Sequence, residues 1–205
     1  MEYKIIGSSS AGNCVVINKE LMFDIGLPFK RIKDSLYGVK YILISHVHSD
    51  HLNPATYRQI HKFFPNIKFI GDQEVNDRCK MDIVAHEQEP IILTDTVITP
   101  FHAPHDVQVL GWTWDYKGEA YMFVTDTYSL KYCPDKKYDH FFLEANHDRD
   151  KIKAIMGKDQ KMFGYSAVDG ALRHLSTQDA KAFYYLHRRS EKSDWIQLHK
   201  SARFY

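Results

Sequence analysis

"ISHVHSDHLNP", Ile44 to Pro54, places three histidines and an aspartate within six consecutive positions, directly after an apolar run. The chain carries twelve histidines in 205 residues, and scattered ones ordinarily cap helices or rest half-solvated on a surface. His46, His48, Asp50 and His51 do not fit that pattern, because they crowd one loop with imidazoles that repel one another when protonated. A divalent cation compensates such crowding. Neutral imidazole and carboxylate are its preferred nitrogen and oxygen ligands, and each must be unprotonated to bind.

The flanks place this cluster. "KYILIS", Lys40 to Ser45, is an apolar run short enough for a buried strand. Asn53 followed by Pro54 joins an N-cap residue to a proline at the first helical position, so "PATYRQIHKFF" reads as a helix up to Pro65. The histidines therefore lie between a strand and a helix, where open sheets hold ligands. Alternation and turn residues mark strands at Tyr3 to Ile6, Cys14 to Asn18 and Leu21 to Asp24, an opening meander with "GSSSAGN" as its first turn. Further strands are expected at Ile67 to Ile70, Thr96 to Phe101, Val109 to Tyr116, Ala120 to Thr125, Phe141 to Glu144 and Trp195 to His199. Helices are expected from Pro28 to Leu36 and within Gln73 to Lys80, Asp148 to Met156 and Thr177 to Arg188. Strands mixed with helices in both halves predict a layered α/β or α+β sandwich, in one domain over 1–205, with no repeat and no linker-like stretch.

A formal net charge of +1 excludes a molecule that is basic all over, so nucleic acid would have to meet a local patch. The stretch from Lys181 to Tyr205, with Lys181, Arg188, Arg189, Lys192, Lys200 and Arg203 against Glu191 and Asp194, is either that patch or a solvated face. Cys14, Cys79 and Cys133 are odd in number and widely spaced, which suits free thiols in a reducing compartment. The first residues lack a signal-peptide pattern, and no apolar run approaches the roughly 18 residues of a membrane span. A cytoplasmic protein without a membrane partner is expected; the number of subunits stays open, a homodimer included.

Further ligands are sought at other strand ends. "TPFHAPHDVQVLGW" offers His102 and His105, and "MFVTDTYS" offers Asp126 just after "YMFV". The order His46-x-His48-x-Asp50-His51, then His105, then Asp126 resembles the metallo-β-lactamase fold superfamily, and "LMFDIG", with Asp24 and Gly26, resembles that family's early strand. The resemblance implies a four-layer αββα sandwich, a dinuclear metal site at one edge, and hydrolysis by a metal-bound hydroxide. "LEANHD", "HLSTQDA" and "LHKSARFY", around Glu144, His174 and His199, resemble late motifs of ribonuclease Z, the tRNA 3′-processing endonuclease. "ANHD" and "GSSSAGNC" are closer to small bacterial DNA exonucleases of the same fold.

The resemblance, carried over by position, implies that His46, His48 and His105 hold one metal, that Asp50, His51 and His199 hold the other, and that Asp126 bridges them. His174 would face the scissile phosphate with Glu144 as its partner, and Asp50 would also orient the attacking hydroxide, which makes Asp50, His174 and Glu144 the catalytic set. His102 could take the place of His105. Asp24 either caps its turn or orients a ligand imidazole, and His147 belongs either to the site edge or to a helix start. Two divalent ions follow, with zinc the default for such donors and manganese able to use the same ones. Arg173 stands where glycine usually precedes the late histidine, Lys200 where an apolar residue is common, and no long inserted arm is visible. A metal-dependent phosphodiesterase is expected, a nuclease acting on DNA or RNA. The alternative is a hydrolase of a cyclic phosphodiester, thioester or lactone, and a non-catalytic binding module is disfavoured because every ligand is present.

Overall fold

The computed structural model describes residues 1–156 and 165–205. Met1–His86 and Glu87–Tyr205 form two compact units, each built on one six-stranded sheet.

In the first unit β1 (Tyr3–Gly7), β2 (Cys14–Ile17), β3 (Leu21–Phe23), β4 (Tyr41–Leu43), β5 (Lys68–Gly71) and β6 (Ile83–Val84) lie in chain order across the sheet. The first three pair antiparallel, as a meander requires, and β3 to β6 pair parallel. β2, "CVVI", is buried along its whole length, so its apolar run is continuous rather than alternating. Helices α1 (Phe29–Ile32), α2 (Pro54–Phe63) and α3 (Gln73–Arg78) complete the unit. The core joins Met22 and Ile42 of the sheet to Ile60 of α2 and Val75 of α3.

The second unit contains β7 (Ile91–Ile92), β8 (Val97–His102), β9 (Leu110–Tyr116), β10 (Glu119–Val124), β11 (His140–Glu144) and β12 (Asp194–Leu198), again in chain order. β7 to β10 are antiparallel neighbours, while β10, β11 and β12 run parallel. Helices α4 (Arg149–Met156), α5 (Tyr165–Leu172) and α6 (Thr177–His187) connect or follow these strands. Ala180 of α6 packs into the cluster formed by Met122, Val124, Phe141 and Leu143.

The start of α2 matches its sequence signal: Asn53 Oδ1 accepts from the amides of Ala55 at 3.0 Å and Thr56 at 3.1 Å, with Pro54 at the first position. The helix expected over Pro28 to Leu36 is instead the four-residue α1 followed by a tighter 3₁₀ turn, Lys33–Ser35. β6, β7 and α5 lie outside the sequence expectations. A two-residue strand cannot display alternation, and "YSAVDGAL" carries Gly170 inside a short run, which weakens its helical signal.

Candidate metal centre

Parallel strands deliver their carboxyl ends to one edge, and each unit uses that property once. In the first unit Phe23, Leu43 and Ile70 are in register across β3, β4 and β5. The next residues are therefore neighbours: Asp24 leaves β3 beside Ile44 and Ser45, which leave β4 for the histidine loop. Gly26 holds that loop close. Its amide donates to Asn13 O at 3.0 Å, the adjacent Ile25 amide donates to His51 O at 2.8 Å, and a Cβ on Gly26 would lie 1.6 Å from Asp50 O. No side chain fits there.

Within the loop the rings of His46 and His48 lie 4.7 Å apart and those of His46 and His51 4.1 Å apart. Asp24 is fully buried and organises them. Its Oδ1 accepts from the Ser45 amide at 2.8 Å and from Ser45 Oγ at 2.9 Å, and its Oδ2 accepts from His51 Nδ1 at 2.7 Å. Ser45 has spent its hydroxyl hydrogen on Asp24, so it accepts from His46 Nδ1 at 2.9 Å. Both imidazoles thus carry their proton on Nδ1 and their lone pair on Nε2, the tautomer that a ligating histidine needs. His51 Nε2 and Asp50 Oδ2 converge on one electropositive group, the Asn13 amide, at 2.8 and 3.3 Å. That polarity also fits a cation, and Asp24 takes the orienting role rather than that of a simple turn cap.

In the second unit Val124 pairs with Leu143, and Glu144 with Leu198. Asp126, Glu144 and His199 consequently leave neighbouring strand ends together. The ligand atoms of Asp126, Glu144, His174 and His199 all lie within 4.8 Å of one another. His199 Nδ1 is 3.1 Å from Asp126 Oδ1, and the His174 and His199 rings stack at 4.9 Å. His105 joins them, its ring 5.3 Å from that of His174.

Glu144 is fully buried, with both oxygens saturated. Oε2 accepts from the Asp126 amide at 3.0 Å and His174 Nδ1 at 2.9 Å, while Oε1 accepts from the amides of Thr127 at 3.1 Å and Leu175 at 2.8 Å. These four donors match the four lone-pair sites of an ionised carboxylate, and His199 Nδ1 stands 3.4 Å from Oε2 as a fifth, longer partner. Burial pulls upward on its pKa, but the hydrogen bonds from His174 and His199 prevail and hold it below the usual glutamate value. His174 shows the complementary balance. Burial pulls its pKa downward, yet the hydrogen bonds to Asp126 and Glu144 push it up to about 10. Burial lowers the pKa of His105, which favours the neutral ring, and its Nδ1 donates to the Arg173 carbonyl at 3.2 Å.

Asp24, Asp126 and His199 have φ of 61°, 55° and 49°, left-handed backbone at non-glycine residues. Such positions cost on the order of 1–3 kcal/mol and persist where the surroundings over-determine them. Around His199 that support is Asn146, whose Nδ2 donates to the His199 carbonyl at 2.8 Å.

Arg173, the departure from the family pattern, has two contacts here: its carbonyl receives His105, and its Nη1 pairs with Asp106 Oδ2 at 2.6 Å. Lys200 is exposed over the Tyr205 ring at 4.1 Å. His102 lies 3.1 Å from Glu87 Oε1 and outside the His105 cluster. His147 sits at a helix start, bridging to Ser176 just before Asp148 accepts from the Asp150 and Lys151 amides at the head of α4. Sequence reading passed over Asn13, Ser45 and Asn146. Their only sequence signal is a small polar residue beside a strand end.

No family model matches the sequence, and no curated protein matches it. Among solved structures the chain is similar to human tRNase Z, short form, at 17% identity, with 99% of this chain and 94% of that one covered and a TM-score of 0.70. It is similar to the metallo-β-lactamase fold protein YhfI of Bacillus subtilis at 14% identity, covering 98% and 86%, TM-score 0.66. A diphosphatase of the PhnP family follows at 12% identity, covering 97% and 85%, TM-score 0.63. The chain has the metallo-β-lactamase fold, the α/β class that its motifs imply.

Proposed function

We propose that this protein is a metal-dependent phosphodiesterase that hydrolyses nucleic acid. The observation that carries the reading is the placement of His174, its Nδ1 held 2.9 Å from the buried Glu144 and 3.3 Å from Asp126 Oδ1. A fixed imidazolium beside a ligand carboxylate suits a reaction in which negative charge builds on oxygen. The likeness to a tRNase Z supports the same class, and that to a diphosphatase supports hydrolysis at phosphorus.

In this reading His46, His48 and His105 hold one divalent ion, Asp50, His51 and His199 a second, and Asp126 both, with zinc or manganese as the metal. When bound, two such ions supply a water acidified toward neutral pH and neutralise charge on phosphoryl oxygens. Asp50 orients the attacking water. His174 keeps one proton on Glu144, which leaves its Nε2 proton for the departing oxygen. Glu144 touches no substrate and acts as a positioning residue. The ionic partner is single- or double-stranded DNA or RNA. Three free cysteines support a cytoplasmic setting, and no helix among the described residues is long and apolar enough to cross a membrane.

The test is hydrolysis of bis(p-nitrophenyl) phosphate beside labelled DNA and RNA, with Zn²⁺ or Mn²⁺, for the wild type, His48→Ala and His174→Ala. Metal-dependent cleavage of a polymer that both changes abolish is the expected result. Turnover of the small diester with every polymer untouched would replace the nuclease by a small-phosphodiester hydrolase.

A further inference from the structure

The second unit contains a cavity of about 460 Å³ that the reaction above leaves unused. It lies between the segment that leaves β10 and one face of α6. Asp179, Phe183 and His187 recur every fourth residue and so share that face, and the rings of Phe183 and His187 stack at 4.1 Å with planes 23° apart. Leu130 and Leu175 add apolar lining. Tyr128, 56% exposed, and the exposed Lys131 stand at its rim.

Its position ties it to the proposed reaction. Tyr128 follows Asp126 by two residues and Leu175 follows His174 by one, so the lining begins within about 8 Å of both, given 3.8 Å between successive Cα atoms. The volume falls within the roughly 300–1,000 Å³ of small-molecule sites, and apolar walls with few polar groups are their usual lining. Asp179 is already engaged, by Arg149 at 2.8 Å and Ser176 at 2.6 Å. Ser129, Cys133 and the exposed Asp135 complete the lining, so the cavity combines the Phe183 and His187 rings and one cation, Lys131, with a few polar groups.

We propose that this cavity receives the nucleobase adjoining the scissile phosphate, stacked along the Phe183 and His187 wall, with Lys131 meeting a neighbouring phosphate. This rests on the phosphodiesterase reading and adds to it a substrate class, a nucleotide bound without base selectivity. Stacking tolerates every base because each has a π-face.

Calorimetric titration of the metal-loaded full chain tests it, with dAMP, dTMP, base-less deoxyribose 5-phosphate and inorganic phosphate as probes. Both nucleotides are expected to bind about tenfold tighter than the base-less sugar phosphate and within about threefold of each other. Ser129→Trp, which projects an indole into the cavity, should erase that advantage while inorganic phosphate binds as before, and the exposed Tyr128→Ala should weaken nucleotide binding about threefold. Equal affinity for nucleotide and base-less sugar phosphate in the wild type overturns the proposal whether or not Ser129→Trp folds. An advantage that survives in a folded Ser129→Trp does so too. Hydrolysis of bis(p-nitrophenyl) phosphate, measured alongside, reports separately on the phosphodiesterase reading: base-dependent binding without diester turnover sinks that reading alone, and turnover with base-independent binding sinks the cavity alone.

Discussion

The strand ends of β3 and β4 and those of β10, β11 and β12 solve one problem in two ways. Each edge begins at an aspartate in left-handed backbone, Asp24 at 61° and Asp126 at 55°, and each has a fully buried carboxylate that anchors an imidazole through Nδ1. In the first unit the anchored histidines come from a single loop, His46 to His51, and close packing of that loop on Gly26 does the positioning. In the second they come from chain segments as far apart as His105 and His199, and Glu144, on β11, fastens the Asp126 and His174 segments through its four donors. A continuous loop needs room for the backbone. A discontinuous site needs a saturated polar hub.

Changes at these two anchors should break the comparison in order of size. Gly26→Ala puts a methyl group into the Asp50 carbonyl, and a backbone atom cannot step aside as a side chain can; a loss of about 3 kcal/mol or more is expected in urea unfolding. A near-native midpoint would show that the loop relaxes. Glu144→Gln keeps the shape of the hub but replaces an acceptor oxygen by an NH₂ group, stranding buried donors, and should cost about 3 kcal/mol by the same measurement. Diester hydrolysis should fall with it, and unchanged stability would mean that the Asp126 and His174 segments are held by something else. Asp24→Asn leaves the packing nearly intact while removing the preference for a proton on His51 Nδ1. Metal retention, read by chelator competition, should then drop about 10- to 100-fold, and an unaltered affinity would deny Asp24 its orienting role. Asn53→Ala, next to the histidine loop, should cost only about 1 kcal/mol, since it removes one helix cap.

The hub also predicts a pH dependence for the metal-free protein. The pKa of His174 is raised from 6.5 to about 10 in the folded chain, so its stabilising contribution is complete below the unfolded value and is lost as pH rises from about 6.5 toward 10. His174→Gln should flatten the stability profile in that window. An identical slope in both proteins would show that the imidazolium is not held by Glu144 and Asp126.

The sequence by itself determined the strand, histidine loop and helix around Ile44 to Pro54, because an apolar run, a cap residue and a proline act over a few residues. It also carried the ligand order that resembles the fold now observed. Only the tertiary structure decided that Asp24 anchors His51, 27 residues away, that Asn13 reaches Asp50 and His51, that Arg173 supplies its carbonyl to His105, and that Glu144 is saturated. It alone shows left-handed backbone at Asp24, Asp126 and His199. The reason is register: parallel strands bring distant strand ends to one edge, and which residue leaves each strand beside which other depends on pairings that no local pattern encodes.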